Sequence, residues 1–191
     1  MSRWNIFATL LVIASTTVVV AKFLVFVSDT VWFQFPLGAV LAYGASMLLI
    51  LIARQITHLS LPYWYWKIRV FEDEGCLYSK FGIGTFKKLL VLLGFDLCNL
   101  HVRFSGRRSG LRSLSQGVRQ AETNHVISFL VLLLTFIYAL TRNWYGVAGW
   151  LAAVNVIANV YPVMLQRHNR ARVEPLLETS RCRLTSSCSG P

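Results

Sequence analysis

The sequence predicts an all-α integral membrane protein, with about four transmembrane helices in two hairpins and an interfacial amphipathic segment between them. Of the 191 residues, 55% are hydrophobic and only 14% are charged, whereas a soluble domain averages about 45–50% apolar and about 25% charged residues. The apolar residues are concentrated in four runs that are nearly free of charge, and about 20 such residues cross a bilayer. We expect spans at about 5–27, 31–53, 121–141 and 146–166.

The first apolar run, 5–27, has a signal peptide as its alternative interpretation. The run is longer than an h-region of about 7–15 residues. It also lacks a clean small-x-small cleavage site, and the second run follows almost at once. We therefore expect it to be retained as a membrane span.

The basic residues predict the orientation in the membrane. Eleven of the 19 Lys and Arg residues lie in 54–125 and five lie in 167–183. Because cytoplasmic loops carry the Lys/Arg excess, we expect a multi-pass protein of the cell (inner) membrane with both termini and the 54–120 segment in the cytoplasm. The net charge of +11 then indicates attraction to anionic membrane lipids rather than nucleic-acid binding.

The four cysteines are scattered and form no CxxC pair. On the predicted topology they face a reducing compartment, so we expect no disulfide and no metal site. The Ser/Thr-rich end, 178–191, has the composition of a disordered tail. Residues 1–177 are expected to form a single membrane domain.

The segment 61–95 is typical neither of a span nor of a soluble loop. Tyr63–Trp66 is an aromatic cluster of the kind enriched at membrane–water boundaries. Apolar residues then recur at helical spacing around Lys87 and Lys88, which suits a helix in the interface plane. Two interpretations stay open: a simple anchor, or a lid that covers a site and guides a lipid-like substrate to it.

Residues 96–120 are rich in Ser, Gly and Arg. This composition predicts a flexible basic loop. A phosphate-contacting loop is the alternative, although the segment carries no GxxxxGK[ST] fingerprint.

Glu122 and His125 begin the third span, and their i, i+3 spacing places both side chains on one helix face. Ionisable residues are costly in a membrane and therefore indicate function; a pair that only decorates a helix end is the alternative. A histidine beside a carboxylate can act as a general base. No Ser or Cys nucleophile with an elbow motif accompanies His125, so direct transfer of an activated group onto an alcohol fits better than a covalent intermediate.

The fourth span carries a stripe of polar residues. At about 100° per residue, the stripe occupies an arc of about 100°. Hydrogen bonding between helices explains buried amides well but explains the arginines poorly. With the turn near Asn143, the stripe is level with Glu122 and His125, and we predict a site at the cytoplasmic boundary. The stripe contains Asn155, Asn159, Pro162, Gln166, Asn169 and Arg170.

Several motifs in order resemble the family of glycosyl-4,4'-diaponeurosporenoate acyltransferases, small bacterial membrane proteins that complete a carotenoid pigment. The resemblance covers roughly residues 60–177, and the closing stretch "ANVYPVMLQRHNRAR" is its most specific part. This sequence differs from the pattern at Val91, where relatives tend to carry Pro. The other motifs are Phe71–Glu72–x–x–Gly75 with Tyr78, Phe86–Lys87, and Glu122–x–x–His125.

The resemblance implies transfer of a fatty acyl group to a sugar hydroxyl on a lipid-linked or carotenoid-linked glycoside. It implies His125 as the base and Glu122 as its orienting group, with no tightly bound cofactor and an acyl donor such as acyl-CoA as co-substrate. The predicted contacts to the acyl donor or the substrate are Asn155, Asn159, Gln166, Arg167, Asn169, Arg170 and Arg172. The predicted lid residues are Glu72, Gly75, Tyr78 and Lys87.

Two other functions stay open at this point. A non-catalytic membrane scaffold would use the polar stripe to hold a partner helix. Another small membrane enzyme, such as a methyltransferase or reductase, would use the Arg/Asn ending to bind a nucleotide cofactor.

Overall fold

The computed structural model describes residues 3–28, 36–69, 72, 76–92 and 108–187. This part of the chain is helical and contains no β-strand. A π-helical turn at Val156–Val160 separates the last two α-helices. The α-helices are α1 (Arg3–Ser28), α2 (Pro36–Ile56), α3 (Tyr63–Trp66), α4 (Cys76–Lys80), α5 (Ile83–Leu92), α6 (Arg108–Thr141), α7 (Tyr145–Asn155) and α8 (Tyr161–Ser187).

Four helical stretches of the described chain are long and apolar enough to cross a membrane, which confirms the predicted fold class. Large apolar side chains lie exposed along these stretches, among them Leu10, Leu48 and Ile157. Exposed apolar surface on a helix suits contact with lipid, because the helix satisfies its own backbone hydrogen bonds. The four stretches are Trp4–Val25, Pro36–Ile56, Ser113–Thr141 and Tyr145–Leu177.

The third and fourth long helices extend well beyond their apolar runs. Helix α6 already begins at Arg108, so 108–120 is helical where the sequence predicted a flexible basic loop; 96–107 lies outside the described residues. Helix α8 continues to Ser187, past residue 178, where we expected a disordered tail to begin. Arg119 of the α6 extension pairs with Glu174 of α8, and hydropathy does not detect such ion pairs.

The described structure divides into two compact units, and the single membrane domain expected over 1–177 stays a prediction. The first unit comprises Met1–Lys67 and Thr123–Val163, and the second comprises Ile68–Glu122 and Met164–Pro191. The boundary between the units therefore passes through α6 and α8.

Helix α2 is central in the first unit, because it packs against both α1 and α7. Its buried face carries Gly38, Ala42 and Ser46 at four-residue spacing, and such small residues let membrane helices approach closely. The Ser46 hydroxyl also contacts the Ser128 hydroxyl of α6 at 2.9 Å. Small residues and one buried hydrogen bond thus hold α2 in place.

The turn between α6 and α7 is centred on Asn143, as the sequence predicted. Asn143 has a φ of 59°, a left-handed conformation that Asn tolerates better than most residues. The Trp144 amide donates to the Ala139 carbonyl at 3.0 Å, and the Asn143 amide donates to the Leu140 carbonyl at 3.0 Å. This is the Schellman pattern, which satisfies carbonyls at a helix C-terminus.

The second unit contains the two short helices α4 and α5. Gly82 joins them with a φ of 75°, a conformation that glycine adopts without steric cost. Helix α5 buries Ile83 and exposes Lys87, Lys88 and Leu92. An apolar and basic exposed surface on so short a helix suits a membrane interface, and its interfacial location stays a prediction.

Candidate functional site

Arg167 of α8 is the centre of a charged cluster in the second unit. One guanidinium nitrogen, Nη2, contacts Glu72 Oε1 at 2.5 Å, and Nε donates to the Tyr78 hydroxyl at 3.1 Å. A third nitrogen, Nη1, lies 3.6 Å from Glu122 Oε1. One arginine thus contacts Glu72, Tyr78 of α4 and Glu122 of α6.

Arg170 extends this cluster one turn further along α8. Its Nε donates to Glu122 Oε2 at 3.1 Å, and its Nη1 lies 3.4 Å from Glu174 Oε1. Glu174 also accepts from Arg119 of α6, whose Nη2 approaches to 2.6 Å. The side chains of Glu122 and Arg170 are 0% exposed, whereas Arg119 is 46% exposed. The cluster therefore runs from a buried centre to a solvated edge.

The charges within this cluster balance. Its three arginines, 119, 167 and 170, meet the carboxylates of Glu72, Glu122 and Glu174. A buried charge is tolerated when it is paired and hydrogen-bonded. Arg167 and Arg170 thus have carboxylate partners within the chain, and their proposed contact with an acyl donor stays a prediction.

Tyr78 is buried beside Arg167 in the same cluster. Burial raises the pKa of its phenol above the ordinary value of 10.0, with Arg167 acting against this shift and Glu72 acting with it. The phenol therefore keeps its proton at neutral pH. It accepts the Arg167 hydrogen bond as a neutral group.

Among the buried oxygens of the second unit, Glu72 Oε2 and Gln166 Oε1 have no hydrogen-bond partner within the described part of the chain. Both atoms are acceptors, and an unpaired buried acceptor costs about 1–3 kcal/mol. They are therefore positions at which a ligand hydroxyl or amide would gain a hydrogen bond.

The other predicted residues of the second unit differ in exposure. Asn169 is half-buried, whereas Arg172 and Lys87 are exposed. Gly75 lies outside the described residues. Of the predicted lid, the structure thus brings Glu72 and Tyr78 into the charged cluster and leaves Lys87 at the surface.

In the first unit, His125 contacts Asn159 of the fourth span, and Asn159 in turn contacts Asn155. His125 Nδ1 lies 3.4 Å from Asn159 Oδ1. Asn159 Nδ2 donates to Asn155 Oδ1 at 2.8 Å, and Asn155 Nδ2 donates to the Phe129 carbonyl at 3.2 Å. Both asparagines are buried. A continuous polar chain thus runs from a backbone carbonyl to the histidine ring.

The π-helical turn at Val156–Val160 lies next to this polar chain. Pro162 has no backbone N–H, so the Ala158 carbonyl lacks its usual i+4 donor. Single π-helical turns are frequent at functional sites, and this turn contains Asn159, whose Oδ1 contacts the His125 ring.

A family model matches residues 62–179, and its description is glycosyl-4,4'-diaponeurosporenoate acyltransferase. The chain belongs to this family. Comparison with curated proteins and with solved structures gives no match. The name of the glycosyl-4,4'-diaponeurosporenoate acyltransferase family indicates an acyltransferase of carotenoid pigment synthesis, and the matched segment includes every candidate residue named above.

The sequence did not lead us to two features that organise the polar residues of this acyltransferase-family chain. These are two residues of the charged cluster and the π-helical turn. Arg119 and Glu174 were not selected, although Glu174 lies four residues after Arg170 and Arg119 lies three before Glu122. Those intervals place them on shared helix faces and were available as a signal. The π-helical turn had no comparable signal beyond Pro162.

We expect Arg167→Lys to loosen α4 in the second unit. A lysine ammonium is a single nitrogen and cannot reach Glu72, Tyr78 and Glu122 in the fork geometry of a guanidinium. Amide hydrogen exchange at Cys76–Lys80 should become faster, because local opening becomes easier. Arg172→Lys, an exposed position on the same helix, is the matched control, and equal exchange in the two variants would contradict the assignment.

Proposed function

We propose that this protein is an integral membrane acyltransferase that moves a fatty acyl group onto a hydroxyl of a lipid-linked or carotenoid-linked sugar. The family match over 62–179 is the observation that carries this proposal. The four candidate spans support it, because an acceptor of this kind is itself dissolved in the membrane. We place both termini in the cytoplasm of a bacterial cell, where an acyl-CoA donor is soluble.

His125 is the candidate general base of this reaction. The ring takes the proton of the sugar hydroxyl as the oxygen attacks the acyl carbonyl. A carbon–oxygen ester bond forms, the carbon–sulfur bond of the thioester breaks, and the leaving thiolate receives a proton from the ring. Ser128, which lies one turn after His125 on the helix, contacts Ser46, in keeping with direct transfer rather than an acyl-serine intermediate.

The second unit offers groups for binding the substrate. The unpartnered oxygens of Glu72 and Gln166 suit the hydroxyl donors of a sugar. Exposed Arg172 suits a phosphate of the acyl donor. The cluster around Arg167 holds the segment that contains Glu72 in position.

The proposed function is tested with membranes that contain the full chain. They receive a labelled long-chain acyl-CoA with a glycosylated carotenoid acid, or with the same carotenoid lacking its sugar. We expect label in an ester of the glycosylated acceptor only. Label in neither acceptor, with pigment and lipid composition unchanged in producing cells, would favour a scaffold.

A further inference from the structure

We propose that Asn155 and Asn159 are positioning residues that fix the tautomer of His125, with the proton on Nδ1 and the lone pair on Nε2. This inference rests on the proposed function, because a base needs its lone pair directed at the acceptor hydroxyl. The tautomer itself belongs to the folded chain, and it can be measured without substrate.

The direction of the hydrogen bonds follows from the Phe129 backbone carbonyl. A carbonyl oxygen only accepts, so the Asn155 group that contacts it at 3.2 Å must be the NH2. Asn155 then turns its oxygen toward Asn159, and this oxygen must receive the NH2 of Asn159 at 2.8 Å. Each amide thus takes its orientation from the preceding contact.

The last contact of the chain fixes the histidine. With its NH2 directed at Asn155, Asn159 presents its oxygen to His125 Nδ1. An oxygen facing a ring nitrogen requires a proton on that nitrogen, because two acceptors repel. In a neutral imidazole the other nitrogen, Nε2, then holds the lone pair.

Burial holds the two asparagine amides in these orientations. Asn159 is 0% exposed and Asn155 is 6% exposed, so water is excluded as a substitute partner for either amide. Flipping either amide would face two donors or two acceptors toward each other in a buried place, where unmade hydrogen bonds are costly. A histidine side chain in water favours the opposite tautomer, with the proton on Nε2, so the chain imposes a measurable difference.

The test is ¹⁵N NMR of the full chain labelled at histidine, in nanodiscs at alkaline pH. The His125 signals are assigned by their loss in His125→Gln. We expect a pyrrole-type Nδ1 and a pyridine-type Nε2 in the unaltered protein. Asn159→Leu should shift the ring toward the Nε2–H form and lower acyl transfer about 10- to 100-fold, as loss of an orienting partner does for metal-bound histidines.

Two further variants separate positioning from helix packing. Asn159→Asp keeps an oxygen facing Nδ1 and should retain the Nδ1–H tautomer. Ser128→Ala removes a buried hydrogen bond of the same unit and should leave the tautomer unchanged. An Nε2–H ring in the unaltered protein would overturn the proposal even if Asn159→Leu does not fold. An unchanged tautomer in a folded Asn159→Leu would also overturn it.

The outcome is independent of the acyltransferase assay. If the ring has the Nδ1–H form and responds to Asn159→Leu, but the protein transfers no acyl group, the positioning role of the two asparagines is supported and the proposed reaction is contradicted. If the protein transfers acyl groups while its ring has the Nε2–H form, the positioning role is contradicted and the proposed reaction is supported.

Discussion

His125→Gln is expected to lower acyl transfer about 10²- to 10⁴-fold, the usual contribution of a general base. Glutamine can still donate a hydrogen bond to the Asn159 oxygen, which contacts the ring at 3.4 Å. It has no basic nitrogen, so the loss should fall on the rate of transfer rather than on folding. The measurement is kcat with labelled acyl-CoA and the glycosylated acceptor in membranes.

The matched control for this experiment is His58→Gln. His58 is exposed and lies before the segment that matches the family, 62–179. Its replacement should leave kcat unchanged. A His125→Gln protein that transfers acyl groups at the full rate would remove His125 as the base.

Glu122→Ala is expected to lower the free energy of unfolding by about 3–5 kcal/mol, the usual cost of breaking a buried ion pair by removing one of its members. Glu122 contacts Arg170 at 3.1 Å and Arg167 at 3.6 Å. The Arg170 side chain is completely buried, so water does not replace the lost carboxylate. The measurement is reversible unfolding by SDS in mixed micelles.

Two controls decide whether burial causes this loss. Arg119→Ala breaks an exposed pair with Glu174 in the same cluster and should cost no more than about 1 kcal/mol. Replacing both Glu122 and Arg170 by Met removes the charges together and should recover most of the stability. A Glu122→Ala protein no less stable than Arg119→Ala would contradict the buried network.

The candidate residues show which features of the site can be predicted from the spacing of residues in the sequence. The i, i+3 spacing selected Glu122 and His125 together, with Glu122 as the orienting group of the base. In the structure, Glu122 contacts Arg167 and Arg170, and His125 contacts Asn159. The orienting role of Glu122 stays a prediction. Helical spacing gives the face of a helix that a residue occupies, but it does not choose among polar partners on other helices.

Hydropathy and turn chemistry are local properties of the chain, so they were enough to predict four helices that could cross a membrane and the turn at Asn143. The sequence also carried the family motifs. The pairing of Arg119 with Glu174 and of Arg170 with Glu122 appears only in the folded chain, because it depends on how the polar parts of α6 and α8 pack together. Only the tertiary structure placed Asn159 against His125, because that contact depends on a π-helical turn and on the approach of two helices whose residues are 34 positions apart.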